Sequence, residues 1–561
     1  GPVVEDNYQP AQPEDAEESE DADQPEIAEE PKSADRQESA DQQAAPAAAP
    51  ADTTPVNPKD DGFWGNTITV INNIADKVLN LTLKDVKIDV SDTGGDNFEF
   101  EDDQIGKAAL SVEGKGNVEI ELDGNNELKS GASKAGLEKT STGKLTLKDD
   151  NNEAGSLTAT GGASAAGIGG GFQGKGENIT ITGGTVDATG GYGSAGIGGG
   201  NGGVGKNITI TGGTVTAAGG FGNAGIGGGN GSDGENITIT GGSVTATGGE
   251  FAAGIGGSNG GSGNNITIKG GTVTATGGEG GAGIGGGAEG GGGNNITIKG
   301  GTVTATGGGY RGNSGAGIGG GSSGSGENIT INDGKVTATG GNYAAGIGGG
   351  SVGAWGGDAG SGKNITINGG TVNATGTDGG AGIGGGENGN GEDITINGGK
   401  VNASGAYGGA GIGGGVNGIG SKVTVSGAAQ VTATATGSGP DWSGVGTGAT
   451  IGNGGSKTPD GPVDGKEIQA DISHLTTGYI HHIIYNPDLD SDGKPDGILK
   501  EWWEFALPKP IPDGESLDLH VETLKGAPLP FNTRQQGSTL RVTTDNLAAR
   551  LHGTRQALEA L

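Results

Sequence analysis

The chain has no cysteine and no methionine. The first absence excludes a disulfide framework, a thiolate zinc site and a cysteine nucleophile. The second leaves no oxidisable sulfur in a core. Aromatic residues make up only 4% of the 561 positions and proline only 19 of them. Glycine does not fall at every third position, so with so little proline the chain is no collagen. No run of 18 apolar residues occurs, so no segment reads as a membrane-spanning helix. Positive charge is scarce: 32 Lys and Arg face 67 Asp and Glu, a net charge of −35. That balance argues against a nucleic-acid partner, because phosphate binding needs clustered basic residues. Histidine is limited to His474, His481, His482, His520 and His552, which leaves little for acid–base catalysis.

What the chain has instead is glycine, 133 residues of it. Composition divides the sequence into four regions. Residues 1–61 are rich in Glu, Asp, Ala, Gln and Pro and almost free of apolar side chains. They cannot bury enough surface to offset the entropy of ordering and are expected to form a disordered acidic spacer. From 62 to 160 short alternating stretches appear, such as Leu79-Asn80-Leu81-Thr82-Leu83 and Val118-Glu119-Ile120-Glu121-Leu122. Alternation of period two bounded by Asp, Asn and Gly reads as half-buried strands. From 161 to 455 the chain repeats openly, and 466–561 reads as a small C-terminal module of mixed structure. Within it Glu501-Trp502-Trp503-Glu504-Phe505 reads as part of a small core, and Leu547 to Leu561 reads as a helix.

The repeat is a unit such as Asn178-Ile179-Thr180-Ile181-Thr182-Gly183-Gly184-Thr185-Val186-Asp187-Ala188-Thr189, followed by a loop and Ala195-Gly196-Ile197-Gly198-Gly199. The Ile of the last motif recurs at 168, 197, 226, 255, 284, 318, 347, 383 and 412. Most steps are 29 residues; 284 to 318 takes 34 and 347 to 383 takes 36. The extra residues fall in Gly/Ser-rich stretches, and a fixed period with insertions confined to loops marks stacked repeats. Each unit holds three short strand candidates separated by glycines. Gly and Thr are poor helix formers and the alternation is 2, not 3.6, which excludes helical repeats. The expected fold is therefore all-β: a parallel β-solenoid with three short strands per 29-residue coil. Parallel crossovers favour a right-handed β-helix. Ile179, Ile181, Val186, Ala188 and Ile197 should point inward, and Thr180, Thr182, Thr185 and Thr189 outward. The larger-residue coils of 62–160 read as the capping end.

Two features stand out as candidate sites. The loop after Ala-Thr-Gly-Gly carries an aromatic in most coils: Tyr192, Phe221, Phe251, Tyr310, Tyr343 and Tyr407, with Trp355 in a neighbouring insertion. Equal positions stack in a solenoid, so these rings are expected to form one column along an edge. Such a column is either a platform for sugar rings or an aromatic ladder that covers glycine-rich corners. The second feature is Asp488-Leu489-Asp490-Ser491-Asp492-Gly493-Lys494-Pro495-Asp496. Alternating carboxylates before a glycine wrap oxygens around a hard cation, which makes Asp488, Asp490, Asp492 and Asp496 candidate calcium ligands. The alternative is an acidic turn without metal. The Asn-Ile-Thr sequons at Asn178, Asn207 and Asn236 coincide with the strand sequence and read as structural.

The full repeat, from Asn-Ile-Thr-Ile to Ala-Gly-Ile-Gly-Gly-Gly, resembles glycine-rich surface proteins of Gram-positive gut anaerobes. The stretch Leu79 to Asp150, with Glu121-Leu122-Asp123-Gly124-Asn125-Asn126-Glu127-Leu128 and Gly136-Leu137-Glu138-Lys139, is similar to parallel β-helix carbohydrate-binding domain proteins related to pectate lyases. Together these stretches cover about residues 63–455. The resemblance implies an extracellular protein, secreted or on the surface of a Gram-positive bacterium, that tolerates calcium and binds a polysaccharide or cell-surface glycan. The lyase-type Arg and Lys machinery has no match, so no catalytic residue is assigned. The expected function is a non-catalytic, adhesin-like glycan-binding rod. A polysaccharide-degrading enzyme and a purely structural spacer are the alternatives.

Overall fold

The computed structural model describes residues 62–95, 105–151, 153–310, 312–351, 358–437, 444–487 and 496–506, and in the C-terminal part 519–523, 525–529, 532–536, 539–543 and 550–553. The acidic spacer expected at 1–61 lies outside them.

Three parallel faces run the length of the rod. One face is a 13-stranded stack that starts with Ile68–Asn72, Leu110–Gly114 and Leu137–Lys139. It continues as two-residue Ile-Gly strands from Ile168–Gly169 to Ile451–Gly452. The second face stacks strands such as Gly176–Ile181 and Gly205–Ile210, and the third stacks Thr185–Thr189 and Thr214–Ala218. Pairing is in register: Ile197 lies on Ile168 and Ile226, Ile179 on Ile208, and Val186 on Val215. The five residues expected inside are fully buried, and the four threonines are at least partly exposed. The all-β parallel solenoid expected from the period is the fold observed. In the first coils one long strand, Asn117–Lys129, serves the second and third faces together. Its interior holds Leu122 and Leu128 beside Leu145, Leu147 and Leu157, so this end is packed with bulkier side chains than the Ile/Val/Ala rod.

Stacking also decides the backbone. Gly198 and Gly227 have φ of +137° and +140°, and a Cβ on either would strike the carbonyl oxygen of the equivalent glycine in the next coil. Asparagine solves a second bend. Asn178, Asn207 and Asn236 adopt left-handed φ of 58°, 54° and 54°, a region that Asn enters more readily than other residues with a Cβ. Their amides form a ladder, Asn207 Nδ2 donating to Asn178 Oδ1 at 3.0 Å and Asn236 Nδ2 to Asn207 Oδ1 at 3.1 Å. The sequon asparagines are thus engaged in the rod itself.

At the far end, Tyr479–Tyr485 pairs in parallel with Gln430–Thr436, Ile480 lying on Val431. Ile498–Phe505 then pairs antiparallel with Tyr479–Tyr485. This part of residues 466–561 is built onto the last coil of the solenoid. The helix expected over Leu547 to Leu561 is corrected where the chain is described: Arg550–Gly553 is a strand paired antiparallel with Leu519–Glu522. Pairing with a neighbouring strand overrides local helix propensity here.

Gly227→Ala should cost about 3 kcal/mol of local stability, because it combines a strained φ with a backbone collision. Gly202→Ala, at φ +77° but with open space around the new Cβ, should cost about 1 kcal/mol. Hydrogen exchange across the adjacent coils measures both; equal loss of protection would show that the neighbouring carbonyl is not the constraint.

Candidate functional site

The Ile-Gly face is so short that the loops on either side of it close on each other. Ala195 N donates to Gly199 O at 3.0 Å, and the same bond recurs from Ala224 to Gly228 and from Ala253 to Gly257. Ile197 dips into the core while its flanks fold together outside. One edge of the rod is therefore a double row of loops. One row carries the aromatics, and the other carries Asn201, Asn230 and Asn259. Main-chain bonds join the rows, from Asn230 N to Gly193 O and from Asn259 N to Gly222 O.

The aromatic residues do lie on this edge, but they do not form one column. Tyr192 and Phe221 occupy equal positions, are 50% and 45% exposed, and stack with centroids 5.3 Å apart and planes 2° from parallel. Phe251 sits one position later in its turn, where the two preceding coils have Gly193 and Gly222. It takes their left-handed conformation, at φ +71°, and meets Phe221 edge-on at 5.8 Å. Tyr343 and Tyr407 are also left-handed, at φ +66° and +44°. Tyr310 is on a small hairpin, Gly309–Tyr310 with Asn313–Ser314, that absorbs the longer step from 284 to 318. Trp355 lies outside the described residues. Insertions and single-residue offsets break the column that equal spacing alone would produce.

Further along the edge, burial pushes the carboxyls of Asp378 and Glu387 up, and burial first, then the Asp378 and Glu387 charges, push the Tyr343 phenol up. Glu387 N donates to Tyr343 O at 2.7 Å. The rows also enclose polar atoms: Ser194 Oγ, Asn223 Oδ1 and Asn259 Oδ1 are buried without a protein hydrogen-bond partner. Among the described residues no group of three or more His, Asp or Glu could hold a metal ion. Of the expected calcium ligands, Asp488, Asp490 and Asp492 lie outside the described residues. Asp496 is described, and its main-chain oxygen accepts from Asn486 Nδ2 at 3.2 Å.

A cleft of about 680 Å³ interrupts the edge near its start. Its cause is a short corner. Leu137 stacks on Ile168 and Leu145 on Ile179, so the chain takes eight steps between faces in one coil and eleven in the next. The longer loop overhangs the shorter one. The notch is lined by Lys134, Glu138, Lys139, Phe172, Glu177 and Asn178, among others. Lys139 is 4% exposed and donates to Ser141 O at 2.7 Å. Burial pulls its ammonium down to about 8, against the attraction of Glu177. Burial pushes the Glu138 carboxyl up, against the pull of Lys134, whose Nζ lies 3.3 Å away. Sequence reasoning did not single out these residues; the readable signal was the missing length between Leu137 and Leu145.

The histidine pair divides as alternation requires. His481 stacks on Trp503 and its Nε2 lies 2.6 Å from Glu501 Oε1. His482 faces in, stacks on Trp502, and its Nδ1 lies 2.6 Å from Thr450 Oγ1. Glu467 accepts from the Thr450 hydroxyl at 3.0 Å and from the main chain of Thr450 and Ile451. With Thr450 fully buried and His482 3% exposed, this network fastens the end of the rod and offers no substrate access.

Comparison with known proteins agrees with the fold. Nine segments match the family model described as a beta helix repeat: 153–172, 179–201, 208–230, 237–261, 266–288, 296–322, 329–351, 365–387 and 394–416. No curated protein and no solved structure matches the chain.

His482 generates a pH dependence. Burial first, then the His481 and Lys500 charges, lower it from 6.5 to about 4. The folded form keeps it neutral, so its contribution is complete above pH 6.5 and is lost as pH falls from 6.5 to 4. That difference is worth about 3 kcal/mol. Glu467 and Glu504, raised by burial, act in the opposite sense, because their protonation favours the folded state. Hydrogen exchange of the Tyr479–Tyr485 amides at pH 7 and 4.5 should show a steeper acid loss in the parent than in His482→Asn; equal slopes would refute the assignment.

Proposed function

We propose that this β-helix repeat protein is a non-catalytic rod, secreted or displayed on the surface of a Gram-positive bacterium, that binds carbohydrate along its double-loop edge. The observation that carries the reading is the half-exposed Tyr192–Phe221 pair on an edge whose second row presents Asn201 and Asn230. Apolar ring surface beside amides suits a saccharide, which offers C–H faces and hydroxyls together. Further along, Tyr343 stands near the carboxyls of Asp378 and Glu387, which pair a ring with acidic acceptors in place of amides. The resemblance of the repeat to bacterial surface proteins supports the location. With a net charge of −35, an acidic polysaccharide needs a bridging cation such as calcium, for which Asp488, Asp490, Asp492 and Asp496 are the candidate ligands.

One observation favours a second reading. Tyr192 and Phe221 meet face to face, so the surfaces between them serve the rod and not a ligand. A ladder of this kind ties neighbouring coils, as a structural spacer requires.

A glycan array probed with the full chain, with and without calcium, separates the readings. Binding is expected, and the double variant Tyr192→Ala/Phe221→Ala should weaken it about tenfold, a loss of about 1.4 kcal/mol, while the β-sheet circular dichroism stays unchanged. No binding under either condition would leave the spacer; release of products from polygalacturonate would make the protein an enzyme.

A further inference from the structure

The notch at the short corner differs from the edge in kind. It is concave, its polar groups converge, and it holds an amine that solvent barely reaches. Lys139 shares the notch with a balanced set of charges. Lys134 pairs with Glu138 at 3.3 Å and Lys175 with Glu177 at 3.8 Å. These pairs leave the Lys139 ammonium with a main-chain carbonyl, Ser141 O, as its hydrogen-bond acceptor. A purely structural lysine is better served by a carboxylate. The notch wall adds hydroxyl groups from Thr140 and Thr142 and one ring, Phe172. Hydroxyls and a ring around a desolvated amine form a pocket for a small polyhydroxylated molecule with a group that an amine attacks.

We propose that this notch is a carbonyl-capturing site, in which Lys139 condenses with the aldehyde of a small polyhydroxylated ligand such as the open-chain end of a reducing sugar. The Lys139 nitrogen lone pair forms a C–N bond to the carbonyl carbon, and the C=O π pair moves to oxygen, which is protonated. The carbinolamine then loses its oxygen as water, which carries away both amine protons, and a C=N bond remains. No oxidant or reductant enters the step. Burial makes the amine competent near neutral pH: lowered to about 8, Lys139 carries over a hundredfold more neutral amine at pH 7 than an ordinary lysine. Glu138, Glu177, Lys134 and Lys175 are the charged groups that line the notch with it, and Glu177 is the one whose charge acts on it. The inference does not depend on glycan binding at the aromatic edge, and its probe is too small to need that edge.

The test is reductive trapping of the full chain with glyceraldehyde and cyanoborohydride at pH 7, read by peptide mapping. Lys139 should be modified about tenfold faster or more than exposed Lys269 and Lys299, with a rate that rises through pH 8. Thr142→Trp, at the mouth of the notch, should slow Lys139 at least severalfold and leave Lys269 and Lys299 unchanged. Modification of Lys139 no faster than the two reference lysines overturns the proposal. An unchanged Lys139 rate in Thr142→Trp, with the circular dichroism intact, overturns the notch as the route of entry.

Discussion

Every other feature of this protein depends on in-register stacking of coils at the strand spacing, about 4.8 Å. Register makes each residue the neighbour of its own equivalent, so a choice at one position is tested against the same choice above and below. Inside, it selects Ile on Ile and Val on Val, because a column of equal volumes packs without gaps. At the corners it selects the absence of a side chain. Gly198 and Gly227 are required less for their φ alone than because the next coil's carbonyl occupies the space of a Cβ. Glycine content that by itself would signal low complexity is thus the consequence of close backbone approach.

The same constraint explains where polarity goes. Asn tolerates the left-handed bend in the second face and bonds to its own copy in the next coil. Such ladders hold only while register is exact to the residue, so they add specificity to a rod that has no disulfide. Departures from register are what create surface features. A one-residue offset turns Phe251 edge-on to Phe221, and a hairpin lifts Tyr310 out of line. A corner three residues shorter opens the notch at Lys139. In a fold that is regular by construction, chemistry becomes available where the period fails.

This also sets what was legible in the sequence. The three strands per coil, the inward Ile179, Ile181, Val186, Ala188 and Ile197, and the larger-residue start could be read because period and alternation are local properties. The single aromatic column fails because equal spacing overlooks the one-position offset that Phe251 shows against Tyr192 and Phe221. What that offset does to the ring follows from the backbone, since Phe251 takes the left-handed conformation of Gly193 and Gly222. The attachment of Tyr479–Tyr485 to the last coil was hidden for another reason: its partner is over forty residues away, and His481-His482 lacks the repeat's Thr-Val-Thr-Ala signature. The notch was hidden because it is made by absence, and the motif that holds Glu138 and Lys139 does not tell that their side chains are buried at a short corner.

A solenoid that ends must also protect its terminal core from adding another chain, since an uncovered parallel strand is a template for pairing. Here the closing strand Tyr479–Tyr485 is itself covered by Ile498–Phe505 in the antiparallel sense, which interrupts the parallel stack. The buried Glu467–Thr450–His482 contacts tie that cover to the final Ile-Gly strand, Ile451–Gly452. Polar groups are costly at such depth unless they are bonded, and an apolar plug would bury more cheaply. What the network provides is direction: His482 accepts one seating against Thr450 and Trp502, whereas a greasy cap could slide along the open end. The irregular ends therefore carry the specificity that the uniform coils between them cannot supply.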